Sequence, residues 1–591
     1  MTTATHHASA KQPPRHVRAV RRTFRDLPPK LHDIAYEPGL VVPAADGSAL
    51  LTDHYFPLAE GDFPTLLVRS PYGRGLPWAP MYGMLFAEQG FHVVLQSCRG
   101  TGGSGGTFDL WHHEAADGRA TVAWLRRQSW FTGALGTIGA SYLGYVQWAL
   151  AADPPPELRA MVIQIGLHDL HGYFHPGGAL ALERTLATAM GMVHQHRGMP
   201  RFLRAALRLQ RHFRTITRTL PLGTAYVSGL GGRVPFLEEA MAHPEPKDAH
   251  WHGADLGSVA EGLRVPTSLI TGWHDIALDQ TLQQYGRLRR AGCDSRLLVG
   301  PWTHNSAMQQ GWPEVFAESL GWLRAHLCGD PSGLRTTRAR VHMAGRQTWQ
   351  DLPEWPPETT AHHWYLGDDG TLRPRMPELA PAPVTFRYDP ADPTPSVGGP
   401  LLSGKAGYQD NTALEARDDV LTFTTAPLTE PVHLLGPVGV ELRVTTDTGH
   451  ADVFARLCDV DGRGRSTNVC DGLRRLHPSP NPSPTTDTTG ATPAAVTVPM
   501  SSTAYSFAAG HRIRLQVSGG AHPRFARNTG TGEPPATATR LIPAEVSLHH
   551  PSRLVLPVAG AEFTDASGAE GSRGSKGSRG SKDMNGITPA R

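Results

Sequence analysis

Cysteine is scarce: there are 5 in 591 residues, at positions 98, 293, 328, 458 and 470. The number is odd, the positions are scattered and no pair stands at zinc-ligand spacing. That excludes a disulfide framework and points to a reducing compartment, with Cys458 and Cys470 read as core thiols. A surplus of charge is also missing. Lys+Arg 56 stand against Asp+Glu 53, so the totals carry no footprint for nucleic acid or an anionic membrane. No apolar run is long enough to span a bilayer, and the first residues hold no signal-peptide core. The expectation is a cytoplasmic protein with no nucleic-acid and no membrane partner. Its oligomeric state is left open, a homo-oligomer included.

What is plentiful is glycine and proline, 64 and 51 residues, which signals many turns and a β-rich portion. The length allows three or more domains with full cores. Residues 1–37 form a basic leader expected to be poorly ordered. From about 38 to 170, and again from 255 to 334, short apolar strands such as Thr65–Ser70 and Phe91–Gln96 alternate with helical stretches. That pattern gives a mostly parallel, doubly wound sheet. Within it Glu114–Arg127 reads as a helix with Ala116, Ala120, Ala123 and Trp124 on one face. Residues 171–254 are helical, rich in Arg and His, and uninterrupted by strands, as befits an inserted cap. From 335 to 558 short alternating runs separated by Gly, Pro and Asp turns predict an all-β jelly roll. Residues 478–490 form a low-complexity loop, and the repeats of Gly, Ser, Arg and Lys in 559–591 predict a disordered tail.

Two glycine-rich stretches mimic nucleotide sites. Gly100 to Gly105 fits G-x-G-x-x-G, but Gly106 to His112 continues as loop where a helix is required. Gly399 to Ala406 approaches a phosphate-binding loop, but Ala406 lacks the hydroxyl that would hold Mg²⁺. Both are set aside. The adjacent histidines 112/113 and 362/363 are read as surface or turn residues.

The chain is organised around Gly139-Ala140-Ser141-Tyr142-Leu143-Gly144. An apolar strand precedes Ser141 and a helical stretch follows it, which is the setting of a nucleophile elbow. Acyl transfer by serine needs a base to take its proton and a carboxylate to orient that base. Asp275 and His304 follow Ser141 in that order, each just past an apolar strand. In an α/β-hydrolase the three residues come in this order at strand ends.

These stretches resemble the CocE/NonD family of hydrolases. The likeness runs through Pro71-Tyr72-Gly73, Gln96–Gly106, Glu114–Gly118, Gly139–Gly144 and Pro176-Gly177-Gly178. It continues through Gly272–Asp275, Gly300–His304, Tyr388–Pro390, Gly510–Leu515 and Pro523–Asn528. The resemblance implies an α/β-hydrolase domain, an inserted helical cap and a C-terminal jelly roll. It also implies Ser141 as nucleophile, Asp275 as orienting acid and His304 as base. The Tyr72 hydroxyl and the Tyr142 backbone N–H would form the oxyanion hole, with no cofactor and no metal.

Three departures matter. Ser97 stands where relatives commonly carry an aspartate, so the support of Arg99 is expected to differ. Some members bind a substrate ammonium with carboxylates just after the acid; here the residues are Ile276 and Ala277. Others carry an aromatic two positions after the acid, where this chain has Ala277. The acyl pocket is therefore expected to be roomier and apolar, with Trp273, Ile276, Ala277, Tyr173, Phe174 and Trp251 as candidate lining. Glu183, Glu238 and Glu239 in the cap are read as solvated helix charges. The expected function is a serine hydrolase of small, neutral esters or amides. The alternatives are an X-prolyl dipeptidyl peptidase and acyl transfer to an acceptor other than water. A non-catalytic scaffold or a carbohydrate-binding role for the jelly roll fits the motifs less well.

Overall fold

The computed structural model describes residues 11–24, 26–477, 488–489 and 492–560. The loop 478–490, apart from Thr488 and Thr489, and the tail beyond 560 lie outside the described residues.

The largest sheet has ten strands: β1 (Ile34–Pro43), β2 (Ala49–Pro57), β3 (Thr65–Ser70), β4 (His92–Ser97), β5 (Leu135–Ala140), β6 (Leu158–Gln164), β7 (Thr267–His274), β8 (Ser295–Thr303), β9 (Ala339–Met343) and β10 (Thr348–Leu352). Their spatial order is β1-β2-β4-β3-β5-β6-β7-β8-β9-β10. From β4 through β3 and on to β9 all pairs are parallel; both ends of the sheet are antiparallel. Every residue of β3, β4, β5 and β7 is buried. Helices cover both faces, so these strands read as continuous apolar runs rather than as alternation.

Three expectations change here. The expected boundary at 334/335 falls inside the sheet. Ala339–Met343 adds to β8 in parallel, and Thr348–Leu352 closes the edge as a hairpin. The run looks like the first strand of a β domain because a lone strand does not reveal its partner.

The leader is also more structured than expected. Residues 15–19 are helical, Lys11 bridges to Tyr36, and strand β1 already starts at Ile34. Val17 is buried in the main core, and Phe24 packs on Trp312. Val17, Phe24 and Leu27 dock the segment on the core, and Arg21 pairs with Glu88 at 2.5 Å.

The helix Glu114–Leu125, finally, buries Glu114, Asp117, Gly118, Thr121, Val122 and Leu125, while Ala123 is exposed. A buried ion network reverses the face that hydropathy selects. Arg69 pairs with Glu114 at 2.9 Å, and Arg99 grips Asp117 with two hydrogen bonds of 2.6 and 3.1 Å. Arg99 also pairs with Asp46. Ser97 instead accepts from Arg74 at 2.7 Å, and Arg74 is paired with Asp53. The missing aspartate thus leaves Arg99 fully held.

Between β6 and β7 the chain forms the helical cap, chiefly the helices Leu182–His194, Met199–Arg218 and Pro235–Ala242. The cap has its own apolar core around Leu186, Leu209, Ile216 and Leu237. At its start Gly177 has φ 65°, and a Cβ there would lie 1.9 Å from Leu473 O. Only glycine lets the cap approach the C-terminal domain so closely.

That domain is a sandwich of a six-stranded and a four-stranded antiparallel sheet, the expected jelly-roll region. The long strand Val432–Thr446 pairs with both Ala494–Phe507 and Ala544–Ala559. Cys458 and Cys470 lie buried on neighbouring strands, and all five thiols are free. Among the described residues no helix is long and apolar enough to cross a membrane.

Candidate active site

Three strands of the central sheet, β5, β7 and β8, with β6 lying between the first two, lead into Ser141, Asp275 and His304. Ser141 caps the following helix with φ 61° and ψ −124°, a backbone conformation that side chains rarely adopt. The flanking glycines make this turn feasible. A Cβ on Gly139 would lie 2.4 Å from Leu143 Cβ, and one on Gly144 would lie 3.0 Å from Gly166 Cα. The tight turn lifts the serine hydroxyl above the strand end.

His304 Nε2 lies 3.1 Å from Ser141 Oγ, and His304 Nδ1 lies 2.7 Å from Asp275 Oδ1. Asp275 is almost fully buried, at 2% exposure. Its carboxylate accepts from the Thr271 hydroxyl at 2.7 Å and from the Ala277 N–H at 3.1 Å. Thr271 immediately precedes the Gly272–Asp275 motif, and nothing in the local sequence marks it as a partner of the acid. A buried carboxylate fixed by these hydrogen bonds holds the imidazole in one orientation.

The turn after β3 brings Tyr72 to the same place. Its hydroxyl has the Ser141 side chain and the Tyr142 N–H as neighbours. Burial pushes the phenol above its ordinary pKa, and those contacts oppose the rise only in part. Tyr72 is therefore a neutral O–H donor. Its ring stacks on Trp78 at 5.5 Å, and its own N–H donates to Ser70 Oγ. The Tyr142 N–H stands at the first turn of the elbow helix, where no intrahelical partner exists.

Four of the candidate lining residues, Tyr173, Phe174, Trp251 and Ile276, share one buried cluster. Tyr173 and Ile276 border the site. Tyr173 donates to or accepts from Thr188 at 2.6 Å, and the Arg184 guanidinium lies 4.7 Å over its ring. Arg184 Nη1 also donates to Ile276 O at 3.2 Å. The cap thus refills the space beside Ile276 and Ala277 with a cation and a phenol, and the pocket is less apolar than expected. Phe174 and Trp251 pack in that cluster with Trp111 and Tyr145. The Trp251 indole N–H donates to His243 O. Trp273 turns into the core against Trp355 and donates to His342 O, so it faces away from the cleft.

A cleft of about 730 Å³ opens between the catalytic domain, the cap and the β domain. It touches Asp275 and Ile276 on one side and Arg184, Asp279, Asp471 and Arg524 on the others. Only some of its charges are paired. Arg524 pairs with Asp471 at 2.6 Å, and Asp279 accepts from Ser501. Glu183 is not the solvated charge expected. It is buried, accepts from the Leu402 N–H, and burial raises its pKa. Glu238 and Glu239 do face outward in part, Glu238 pairing with Arg233. Glu239 joins His243 and His250 in one cluster whose ligand-type atoms lie within 4.8 Å of one another. Asp248 holds His243 Nδ1 at 2.7 Å there.

The β domain supplies a further wall. Leu402 O accepts from Asn305 at 2.9 Å, and Tyr408 stands edge-on to His274 at 4.2 Å. The Gly399–Ala406 stretch, set aside as a nucleotide motif, is thus packed beside His304.

The chain matches two family models. Residues 46–306 match the X-Pro dipeptidyl-peptidase (S15 family), and residues 333–555 match the X-Pro dipeptidyl-peptidase C-terminal non-catalytic domain. It is 30% identical over 566 residues to the cocaine esterase of Rhodococcus sp. (strain MB1 Bresler), spanning 88% of this chain and 98% of that one. Among solved structures, an α-amino acid ester hydrolase has the same fold, with a TM-score of 0.75 at 20% identity over 91% of this chain and 98% of that one. A CocE/NonD family hydrolase from Staphylococcus aureus also shares the fold, with a TM-score of 0.64 at 18% identity over 89% and 94%. With this fold, the strand-end serine and near full-length likeness to an esterase, the chain belongs to the CocE/NonD family of hydrolases, serine enzymes that act on ester or amide bonds.

Proposed function

We propose that Ser141 attacks the carbonyl of a small neutral ester and that His304, oriented by Asp275, takes its proton. The observation that carries this reading is the chain of hydrogen bonds from Asp275 through His304 to Ser141, at 2.7 and 3.1 Å. The tetrahedral oxyanion forms between the Tyr72 hydroxyl and the Tyr142 N–H. Two donors fixed in advance stabilise it without reorganisation, and each is worth about 10²–10³ in rate. His304 then gives its proton to the leaving alcohol. Water, deprotonated by His304, attacks the acyl-enzyme, and Ser141 is released.

Neutral substrates are supported by the residue next to Asp275 in the cleft, Ile276, which is apolar where a carboxylate would be needed to hold an ammonium. Asp471 is held by Arg524 at 2.6 Å, while Asp279 accepts only from the Ser501 hydroxyl. The buried Glu183 beside Arg184 favours a second reading, an X-prolyl dipeptidyl peptidase that reads a free N-terminus. Acyl transfer would use the same machinery with another acceptor in place of water. The free thiols support a cytoplasmic site of action.

The test is a pair of initial-rate measurements on p-nitrophenyl butyrate and Ala-Pro-p-nitroanilide. The wild type should cleave the ester and leave the anilide. Ser141→Ala should lower ester turnover by roughly a millionfold. Faster cleavage of the anilide than of the ester would move the protein to the peptidase reading.

A further inference from the structure

The charges of the whole chain nearly cancel, but those of the cap do not. Between Glu183 and Glu238 the sequence contains no aspartate or glutamate, yet it contains nine arginines. Six of them, at 201, 204, 208, 211, 214 and 218, lie on the helix Met199–Arg218, and all six are exposed. Among the described residues none of the six forms an ion pair with a carboxylate; Arg208 donates to Ser228 O. One face of this helix buries Ala205, Leu209 and Ile216 in the cap. The outer face carries Met199, Leu203 and Leu207 at steps of four residues, so they form one stripe. Their exposures are 38, 53 and 62%. The result is an apolar ridge bordered by unpaired guanidinium groups.

We propose that this outer face is a docking surface for bilayers of anionic phospholipid. Interfacial helices combine these features: arginines level with the phosphates and leucines reaching the acyl boundary. A soluble polyanion would engage the arginines but leave Leu203 and Leu207 in water. A second copy of the chain would cover the leucines but set rows of arginine against each other, which like-charge repulsion opposes. A lipid surface satisfies both halves of the pattern. The site of docking also borders the candidate active site. The turn before the helix brings His196 Nδ1 within 3.1 Å of the Gly102 N–H, and a Cβ on Gly73 would lie 3.2 Å from His196 Cα. A bilayer on this helix lies beside the turn that carries Tyr72. The docking does not depend on which residues perform the chemistry.

The test is sedimentation of the full-length protein with vesicles of phosphatidylcholine alone or mixed with phosphatidylglycerol, at low and high salt. The protein should sediment with the mixed vesicles, remain in solution with phosphatidylcholine, and be released by salt. Each arginine should strengthen binding about fivefold, so Arg204→Gln/Arg211→Gln should weaken it by roughly 25-fold. Leu203→Glu/Leu207→Glu should weaken it by about tenfold or more, with turnover of a water-soluble ester unchanged. That turnover also reports that both variants are folded. Equal recovery with the two vesicle types, or recovery with neither, would overturn the proposal. So would heparin binding that the leucine variant retains in the absence of vesicle binding, which marks a polyanion site. A dimer in solution that the leucine variant dissolves, again without vesicle binding, would assign the face to self-association.

Discussion

The Asp275 carboxylate meets His304 Nδ1 at 2.7 Å through one oxygen, while its other oxygen accepts from the Thr271 hydroxyl at 2.7 Å. The carboxylate is therefore fixed from two sides against the imidazole. Asp275→Asn keeps the shape of this arrangement but removes the anion and stabilises the wrong imidazole tautomer. It should lower kcat by about 10⁴-fold with little change in KM. Steady-state kinetics on p-nitrophenyl butyrate check this, and a loss under tenfold would remove Asp275 from the proposed role.

Tyr72→Phe deletes one proposed oxyanion donor and leaves the stacking on Trp78 in place. The expected loss is about 10²–10³ in kcat, with KM and thermal stability close to wild type. A variant that loses stability but keeps kcat would make Tyr72 a packing residue of its turn.

Ser141 holds a positive φ of 61°, a conformation that costs of order 1–3 kcal/mol for a residue with a side chain. Glycine relieves that strain and alanine does not. Ser141→Gly should therefore be more stable than Ser141→Ala by about 1–2 kcal/mol. Urea unfolding of the two inactive variants decides it, and equal midpoints would show that the turn is unstrained.

Four buried histidines set a lower pH limit. Burial pushes His168 and His175 down to about 3, and His274 and His522 down to about 4. In the unfolded chain an imidazole titrates near 6.5. Above that value both states are neutral at these sites, and the stability is complete. As pH falls through 6.5 the unfolded chain takes up protons that the folded chain refuses, so stability declines. Each histidine contributes at most about 1.4 kcal/mol per pH unit. The urea midpoint should drop between about pH 7 and about pH 5. His168→Gln should make the drop shallower, and an unchanged slope would mean that His168 is protonated without cost.

Much of the architecture was legible because it rests on local pattern. Buried parallel strands are apolar runs, and Ser141, Asp275 and His304 announce themselves by standing just past three of them. What stayed hidden depends on distant partners. Nothing near Ala339 tells that its strand pairs with Leu297 rather than with the β domain. Hydropathy chose Ala123 for the inside of its helix because it scores Glu114 and Asp117 as polar, blind to Arg69 and Arg99 waiting across the core. Glu183 looked solvated for the same reason. Its donor is a backbone N–H 219 residues away. Arg184 beside Ile276, and the Leu402 loop beside His304, likewise come from other domains and carry no local motif.

The passage of the sheet beyond residue 334 bears on how such a protein can be divided. A chain cut there would end before β9 and expose the outer edge of β8, the strand that delivers His304. An uncovered parallel strand, apolar from Leu297 to Val299, is a template for intermolecular pairing. Recombination that swaps one C-terminal domain for another at that point would thus trade a folded catalytic half for an aggregating one. A viable junction lies past Leu352, so the two-stranded border must be inherited with the hydrolase.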